Sequence, residues 1–409
     1  MSEKSNLEFR PLALADKPLV DAALERFPTD VSELTFTNLV VWQRKRKVQI
    51  GVEDSRSQGG RGKGPETGDG GPGADGRSQK AEDRLQRAEV GSEEKGERRE
   101  EAGGGGEGAE GLMVLCEEDE ERRSQKLEAR GQKSEVQEAA ADIGREDEER
   151  RSQKLEARGQ KSEVQEQSGE RHRKFFLPPV CMCDSASAVR AMFEYAGQQG
   201  FEPRLERVPE VMAEELRAAG FSTVEDRDSW DYVYRAGDLA FLEGRHYDGK
   251  RNFVKQALER GGCEYRKITP ENVKDCLALE TSWCNLRHCE LDPSLTAEQQ
   301  AIAICFEHWA EWNLLGGAVV AGGRIEAFSI AERLNPTTAV VHFEKANPEW
   351  RGMYQLINQW FCRNELLGFE FVNREQDLGI EGLRKAKESY HPHHLVKKFA
   401  VEEDRGQGV

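Results

Sequence analysis

The chain lacks Phe, Tyr and Trp over one long stretch, between Trp42 and Phe175. Within it, residues 51–170 are rich in Gly, Glu, Arg, Gln and Ser and include the tracts GGRGKGPETGDGGPG and GGGGEG. Such a composition cannot bury enough apolar surface to offset the entropy lost on ordering. We therefore predict that residues 51–170 form a long disordered insert, and that the segments on either side of it form the folded part of this 409-residue chain.

An identical segment, EDEERRSQKLEARGQKSEVQE, occurs twice in the insert, at residues 118–138 and 146–166. The copies have almost no apolar face, so they do not resemble the stacked units of a solenoid. The insert also carries most of the net charge of −17. Because the rest of the chain is only mildly acidic, its overall charge does not favour nucleic acid or anionic lipid, and contact with either requires a local basic patch.

The region most informative about function runs from Val340 to His394. It predicts a short apolar strand at 340–343, a helix from Pro348 with one apolar face, and a second strand at 369–372. Five polar residues, 373–377, follow that second strand. Ligand groups collect at the carboxyl ends of strands in α/β sheets, so this run indicates a site, although a solvated loop explains it too.

Three motifs in this region, HFEKANPEWRG, INQWF and FVNREQDLGIEGLRKAKESYHP, closely resemble one family. It is a bacterial family whose domain matches the C-terminal, cytosolic half of phosphatidylglycerol lysyltransferases. The family is similar to tandem proteins of the GNAT fold, the N-acetyltransferase superfamily, and more remotely to the peptidyl aminoacyltransferases of cell-wall synthesis. The resemblance implies an α/β fold made of tandem GNAT-like domains, with mixed central sheets flanked by helices.

The predicted elements agree with that fold. From Glu264 to Val401 they follow the GNAT order of strand, two helices, antiparallel hairpin, strand, helix, strand, helix and strand. Before this, strands near Lys47–Val52 and Lys174–Val180 are predicted to pair as a hairpin with the insert at its turn. The predicted organisation is an N-terminal GNAT-like domain of residues 1–50 and 171–262, the insert 51–170, a C-terminal GNAT-like domain over 263–402 and a tail at 403–409.

The resemblance leaves two donors open. GNAT enzymes hold the pyrophosphate of acyl-CoA on a glycine-rich turn at a helix start, because glycine lets backbone N–H groups approach phosphate. The corresponding segment here, Glu349–Tyr354, keeps Arg351 and Gly352 but lacks the second glycine. By analogy with the aminoacyl-tRNA-using relatives we expect aminoacyl-tRNA as donor, and hence tRNA as a partner, with acyl-CoA as the alternative.

A basic stretch, GRHYDGKRN, precedes another predicted helix. Its positive charges oppose the helix dipole, at a cost of about 0.3–1 kcal/mol each, unless an anionic ligand or an acidic neighbour compensates. An ordinary solvated basic turn is the alternative.

Acyl transfer needs a base for the acceptor and donors that stabilise an oxyanion. Candidate catalytic residues are Glu344, Glu375 and Asp377. Candidate substrate-binding residues are Arg245, Lys250, Arg251, Asn252, Lys345, Arg351, Asn373, Arg374, Lys385, Lys387 and Tyr390. Glu344 or Glu375 is expected to bind the α-amino group of the donor or to act as base, Lys345 or Arg374 to stabilise the oxyanion, and Lys385 or Lys387 to contact phosphate. A structural ion-pair network explains the same charges.

The nine cysteines form no C-x-x-C pair, as expected of reduced thiols in the cytosol. Cys284, His288 and Cys289 lack a second ligand pair at zinc spacing, so no metal site is predicted. The start MSEKSNLEFR lacks the apolar core of a signal peptide, and the longest apolar run, residues 314–323, is too short to span a bilayer. We expect a cytoplasmic protein without a transmembrane segment, which makes a lipid acceptor less favoured.

The sequence thus favours an aminoacyltransferase-like transferase whose acceptor, an amine or hydroxyl on a small molecule, a peptide or a lipid head group, stays open, as does its oligomeric state. This rests on a fold-level resemblance. The alternatives are a CoA-dependent N-acyltransferase and a non-catalytic binding module of the GNAT fold.

Overall fold

The structure is a computed structural model that describes residues 7–52, 111–119, 172–181 and 184–404. All of these belong to one compact unit formed by Met1–Glu53 and Ala109–Val409. The predicted disorder of the insert and the duplicated segment lie outside the described residues, apart from 51–52 and 111–119.

Fifteen strands and ten helices make up the part of the chain that the structure describes. The strands are β1 Phe9–Pro11, β2 Arg46–Val52, β3 Gly111–Asp119, β4 His172–Phe176, β5 Val180–Cys181, β6 Arg204–Pro209, β7 Phe221–Glu225, β8 Asp231–Arg235, β9 Glu264–Lys267, β10 Leu315–Ala321, β11 Arg324–Arg333, β12 Thr338–Ala346, β13 Phe371–Gln376, β14 His394–Val396 and β15 Lys398–Glu403. The helices are α1 Lys17–Arg26, α2 Phe36–Val41, α3 Ser185–Gln198, α4 Glu210–Ala218, α5 Ala236–Phe241, α6 Asp248–Glu259, α7 Val273–Arg287, α8 Pro293–Glu307, α9 Met353–Phe361 and α10 Glu381–Glu388.

The strands form two mixed sheets of matching order. The first runs β1-β2-β3-β4-β6-β15-β7, with β5 paired to β3, and the second runs β9-β10-β11-β12-β13-β8-β14. Each sheet has one parallel pair at the same place, β4 with β6 and β12 with β13. Helices flank both sheets, and the predicted element order of the second half is confirmed.

Each half of the chain gives one strand to the other half's sheet. The strand β15 pairs with β6 and β7 in the first sheet, and β8 pairs with β13 and β14 in the second. The boundary predicted at residues 262 and 263 therefore does not separate the sheets, because β8 and the following helices α5 and α6 pack on the second sheet. The local sequence pattern of a strand is the same whichever sheet it joins. The exchange of β8 and β15 was therefore not predictable from the sequence.

The predicted pairing of the strands around the insert is wrong. The strand β3, from within residues 51–170, lies between β2 and β4 and pairs antiparallel with both. It contains the apolar run Leu112–Leu115, which is buried. This strand was not predicted from the sequence because its region contains no aromatic residues. A short run of aliphatic residues is enough to form a strand that is covered on both faces.

Three apolar cores hold the fold. One combines side chains from α2 and β3 of the first half with side chains from α7, α8 and β10–β12 of the second. Another packs α5, α6 and α9 on the second sheet, and the third packs α3 and α4 on the first sheet. Among the described helices, none has the length and apolar character needed to cross a bilayer.

Candidate active site

The parallel strands β12 and β13 separate soon after they begin. They pair only from Thr338 with Phe371 to Val340 with Asn373. The hydrogen-bond register between β12 and β11 shifts by one residue at His342. Val341, before the shift, faces the apolar core that contains α9, and Phe343, after it, faces the apolar core that contains α7 and α8. The register of β13 with β8 also shifts after Asn373, and there Glu375 adopts a left-handed backbone with φ of 55°. Two bulges thus lie side by side where the strands diverge, and bulges often redirect side chains at active sites.

Glu344 and Arg374 bridge the diverging strands on the face covered by α9. The Arg374 Nη2 donates to Glu344 Oε1 at 3.2 Å. The other oxygen of Glu344 accepts from Asn358 Nδ2 at 3.2 Å and from Ser329 Oγ at 3.4 Å. Burial lowers the pKa of Arg374, but the charge of Glu344 outweighs this and raises it. The buried Nη1 of Arg374 has no hydrogen-bond partner among the described residues, so one guanidinium donor stays available.

Tyr390 and Lys250 adjoin this pair. The Arg374 guanidinium lies 4.9 Å and the Lys250 Nζ 4.0 Å from the centre of the Tyr390 ring. Lys250 also donates to Ser389 Oγ at 2.5 Å. Burial, together with the nearby charge of Arg374, lowers the pKa of Lys250 to about 8. An amine with such a pKa is partly unprotonated near neutral pH, as a general base requires.

Lys387 holds the backbone at the same bulge. Its Nζ donates to the carbonyl oxygens of Arg374 and Glu375, the latter at 3.1 Å. Burial and the charge of Arg374 lower its pKa to about 8. Two of its donors are thus directed at backbone carbonyls at the end of β13, and the contact of Lys387 with phosphate stays a prediction.

The opposite face of the same strands carries a histidine between two carboxylates. His342 Nε2 lies 2.8 Å from Glu332 Oε1, and its Nδ1 lies 2.8 Å from Glu375 Oε1. Two residues of α2 complete the group, since Thr37 Oγ1 donates to Glu332 Oε2 at 3.0 Å and Asn38 Nδ2 donates to Glu375 Oε1 at 3.0 Å. Burial lowers the pKa of His342, but the hydrogen bonds to Glu332 and Glu375 outweigh it and raise the pKa to about 9.

The three carboxylates predicted as catalytic therefore do not converge. Glu344 and Glu375 lie on opposite faces of the sheet, and Asp377 belongs to a separate buried network. Asp377 accepts from Tyr232 Oη at 2.7 Å, from Arg384 Nε at 2.7 Å and from Arg227 Nη1 at 3.1 Å. Burial alone would raise the pKa of Asp377. The hydrogen bonds that Asp377 accepts, of which the one from Arg384 is the largest contribution, outweigh burial and lower the pKa. A fully engaged, fully buried carboxylate is suited to a structural role rather than to a base.

Lys345 lies on the face opposite to Glu344, away from Arg374. Its Nζ is 2.8 Å from Glu298 Oε2, 3.8 Å from Glu280 Oε1 and 3.6 Å from the centre of the Trp283 ring. Burial lowers its pKa, but the two carboxylates raise it overall. These partners take up the ammonium group, so a role for Lys345 in stabilising an oxyanion at Glu344 and Arg374 is not supported.

The other predicted binding residues divide between surface and core. Arg245, Asn252 and Lys385 are exposed, and Lys385 pairs with Glu381 at 2.9 Å. Arg251 donates to the carbonyls of Leu242 and Gly244 and to Asp248, and so closes the turn before α6. Asn373 is buried and donates to Asp231 Oδ2 at 3.0 Å. Arg251 also lines a surface groove of about 450 Å³ that α6 and Gln359 form, to which neither Glu344 nor Arg374 contributes.

The turn expected to hold a pyrophosphate is covered by α6. A Cβ on Gly352 would lie 2.0 Å from the Phe253 carbonyl oxygen, and Gly352 has φ of 84°. Trp350 Nε1 donates to the Ala257 carbonyl at 3.1 Å, and the Arg351 guanidinium stacks 5.3 Å from the Phe253 ring. Glycine is needed here because a helix carbonyl approaches it. The residues present do not fit a pyrophosphate, whose negative charge this carbonyl oxygen would repel.

Sequence reasoning missed His342, Glu332 and Asn38. The available signal was a histidine inside the apolar run VVHF, where an imidazole needs polar neighbours once buried. Its neighbours come from three distant segments, so the sequence did not identify them. Among the described residues, no group of three or more His, Cys, Asp or Glu side chains is placed to hold a metal ion.

Comparison with known proteins places this chain in a family. The family described as phosphatidylglycerol lysyltransferase, C-terminal, matches residues 150–402, more than half of the chain. No curated protein sequence matches the chain.

Several solved structures are similar to this chain. A conserved protein of unknown function from Bacteroides thetaiotaomicron VPI-5482 is 23% identical over 97% of this chain and 99% of its own, with a TM-score of 0.65. L-PGS from Bacillus licheniformis is 11% identical over 57% of this chain and 78% of its own, with a TM-score of 0.42. FemX is 9% identical over 96% of both chains, with a TM-score of 0.47. The predicted α/β fold with mixed central sheets flanked by helices is confirmed, and the chain belongs to the family of phosphatidylglycerol lysyltransferase C-terminal domains.

Proposed function

We propose that the chain is an aminoacyltransferase that moves an aminoacyl group from aminoacyl-tRNA to an amine or hydroxyl acceptor. The observation that carries this proposal is the Glu344–Arg374 pair between the diverging strands β12 and β13, with Arg374 Nη1 buried and without a partner among the described residues. An oxyanion that develops on the ester carbonyl of the donor supplies that partner in the transition state.

Each group at the pair has a role in the transfer. Arg374 stabilises the oxyanion, and Glu344 accepts a hydrogen bond from the α-ammonium group of the donor. The acceptor nitrogen or oxygen bonds to the carbonyl carbon while the bond from that carbon to the ribose oxygen breaks. Lys250, whose pKa is lowered to about 8, takes the proton of the acceptor and returns it to the ribose oxygen.

The surroundings of α6 favour a tRNA ester over acyl-CoA as donor. The Phe253 carbonyl lies against Gly352 at the start of α9, and its oxygen is unfavourable for an anionic pyrophosphate beside that residue. The exposed residues Arg245, Arg251 and Lys255 lie on or just before this helix, and Arg351 packs against it. Asp248 and Glu259 of the same helix pair with Arg251 and Lys255 and offset part of this charge. The remaining positive charge is the local basic patch that we propose for binding a nucleic acid. The acceptor remains a small molecule, a peptide or a lipid head group.

A non-catalytic binding module is the second candidate, and one observation favours it. Each of the three carboxylates predicted as catalytic already holds a positively charged partner: Arg374 for Glu344, His342 for Glu375, and Arg384 for Asp377. In this function the charged groups maintain the fold, and the surface binds a ligand that it does not convert.

Donor discharge separates these functions. The full chain is incubated with tRNA charged with labelled amino acids, and binding is compared for charged tRNA, uncharged tRNA, acetyl-CoA and CoA. We expect tighter binding of charged tRNA and loss of its label in the presence of a mixed acceptor extract. Arg374→Lys should abolish discharge, because a single ammonium does not reproduce the guanidinium fork. The matched control is Arg333→Lys, an exposed residue of β11. Binding of CoA compounds alone would overturn the proposal, and equal binding of both tRNAs without discharge would favour the binding module.

A further inference from the structure

We infer that His342 is a positioning residue that acts through Glu375 to hold Arg374 in the site. The inference rests on the proposed function for the role of Arg374 in transfer, but the placement of Arg374 by His342 is testable without any activity. The argument starts from the two hydrogen bonds of the imidazole.

Both ring nitrogens of His342 face carboxylate oxygens, at 2.8 Å each. An ionised carboxylate only accepts hydrogen bonds, so both nitrogens must donate and the ring is an imidazolium. The two carboxylates also accept hydrogen bonds from α2, Glu332 from Thr37 and Glu375 from Asn38. The side chain of His342 is only 1% exposed, so water does not compete for these bonds.

Glu375 transmits this constraint to Arg374. The left-handed backbone of Glu375 costs about 1–2 kcal/mol for a residue with a side chain, so it persists only if its surroundings hold it. Its N–H donates to Asn373 Oδ1 at 2.8 Å, and Lys387 holds the carbonyls of Arg374 and Glu375. Since Arg374 and Glu375 point to opposite faces, an anchor on the Glu375 carboxylate fixes the backbone from which Arg374 extends.

The first half of the chain takes part in this anchor. The helix α2 supplies Thr37 and Asn38, and Asn38 Nδ2 also donates to the Ser32 carbonyl at 2.7 Å. The titratable groups that face His342 are Glu332 from β11 and Glu375 from β13. The helix α2 contributes only neutral side chains. The helix α8 contributes the thiol of Cys305, near Glu332, and burial raises the pKa of this thiol well above its usual range. The charge of the imidazole therefore depends on these two carboxylates.

The test uses the full chain and nitrogen-detected NMR of its histidine and arginine side chains. His342→Gln identifies the imidazole signals, and Arg374→Lys identifies the Nε–H signal of Arg374, which lies near the ring of Tyr390. We expect both nitrogens of His342 to be protonated at pH 7. We also expect the Arg374 signal to move when His342 loses its proton and in the His342→Gln variant, but not in His308→Gln, another histidine paired with a glutamate.

Glu332→Gln keeps an acceptor for His342 but removes one charge, so it decides the question even if His342→Gln fails to fold. Glu332→Gln should lower the pKa of His342. The pH at which the Arg374 signal changes should fall by the same amount. In the transfer assay, kcat should fall at that pH while KM for charged tRNA stays within twofold. A neutral imidazole at pH 7, or an Arg374 signal that ignores the titration of His342, would overturn the inference. Absence of transfer by the unmodified chain would count against the proposed function only.

Discussion

Gly352 lies against the carbonyl oxygen of Phe253, so closely that a methyl group on Gly352 would be 2.0 Å from that oxygen. The contact joins the start of α9 to α6 and determines how both helices pack on the second sheet. Because the sequence placed the same glycine in a segment that corresponds to the phosphate-binding turn of GNAT enzymes, its replacement tests whether it has a packing role or a ligand role.

Gly352→Ala should lower the free energy of unfolding by more than about 2 kcal/mol, since it combines a left-handed backbone with a clash against backbone. The matched control is Gly249→Ala in the first turn of α6, where a methyl group would have no other atom within 4 Å. This control should be neutral or stabilising by up to about 1 kcal/mol. Urea denaturation of both variants measures the contrast. Equal stabilities would contradict the packing role.

The charge on His342 should make stability depend on pH. Its pKa in the folded chain, about 9, lies above the ordinary value of 6.5, so its stabilising contribution is fully present below pH 6.5 and is lost as the pH rises through 9. The contribution is on the order of 3 kcal/mol. The difference in unfolding free energy between the unmodified chain and His342→Gln should therefore shrink from pH 6.5 to pH 9.5.

The difference between the two chains is the useful quantity because Lys250 and Lys387 act in the opposite direction. Their pKa values are lowered to about 8 from 10.5, so they add stability as the pH rises through that range. Both lysines are present in both chains, and their effect cancels. A difference that is constant with pH would show that His342 is not charged in the fold.

Lys398 should be among the most sensitive residues to mutation. Its buried Nζ lies 2.5 Å from Glu33 and 2.7 Å from Asp231, so Lys398→Met leaves the buried Asp231 carboxylate without a cation and leaves Glu33 with Arg207 alone. A loss of about 3–5 kcal/mol is expected. The neighbouring Lys397, which is half exposed and pairs with Glu210, is the matched control, and Lys397→Met should leave the midpoint of thermal unfolding nearly unchanged. Thermal unfolding of both variants measures the contrast.

Glu344 and Arg374 should be energetically coupled. Arg374→Met removes the cation that pairs with the partly buried Glu344 carboxylate and should destabilise the chain by up to about 3 kcal/mol. Adding Glu344→Gln should recover part of this loss, with a coupling of about 1–3 kcal/mol in the double-mutant cycle. Additive effects would mean that the pair at 3.2 Å does not interact in solution.

Two deletions should differ sharply in outcome. Removal of residues 54–108 keeps β2 and β3, so the first sheet should form and the midpoint of thermal unfolding should stay within a few degrees. Removal of 51–170 also deletes β3, which lies between β2 and β4, and should prevent that sheet from forming. Circular dichroism during heating detects both results, and a stable fold after the larger deletion would contradict the role of β3.

The order of elements in the second half, the apolar faces of its helices and the family motifs were all readable from the sequence. Their signals are local, because helical periodicity, prolines and glycine turns depend on residues a few positions apart. These signals also placed the candidate residues on β12, on β13 and around α6 and α10. In the structure, Glu344, Arg374 and Lys250 lie near one another in this region.

Only the tertiary structure decided which of those charges face each other. One extra residue in β12 and one in β13 shift the side chains between faces, so that Glu344 meets Arg374 while Glu375 meets His342. The place of β3 and the exchange of β8 and β15 likewise depend on pairing between distant segments. A strand carries no local mark of its neighbour, because its ladder bonds are made by backbone groups that every residue shares.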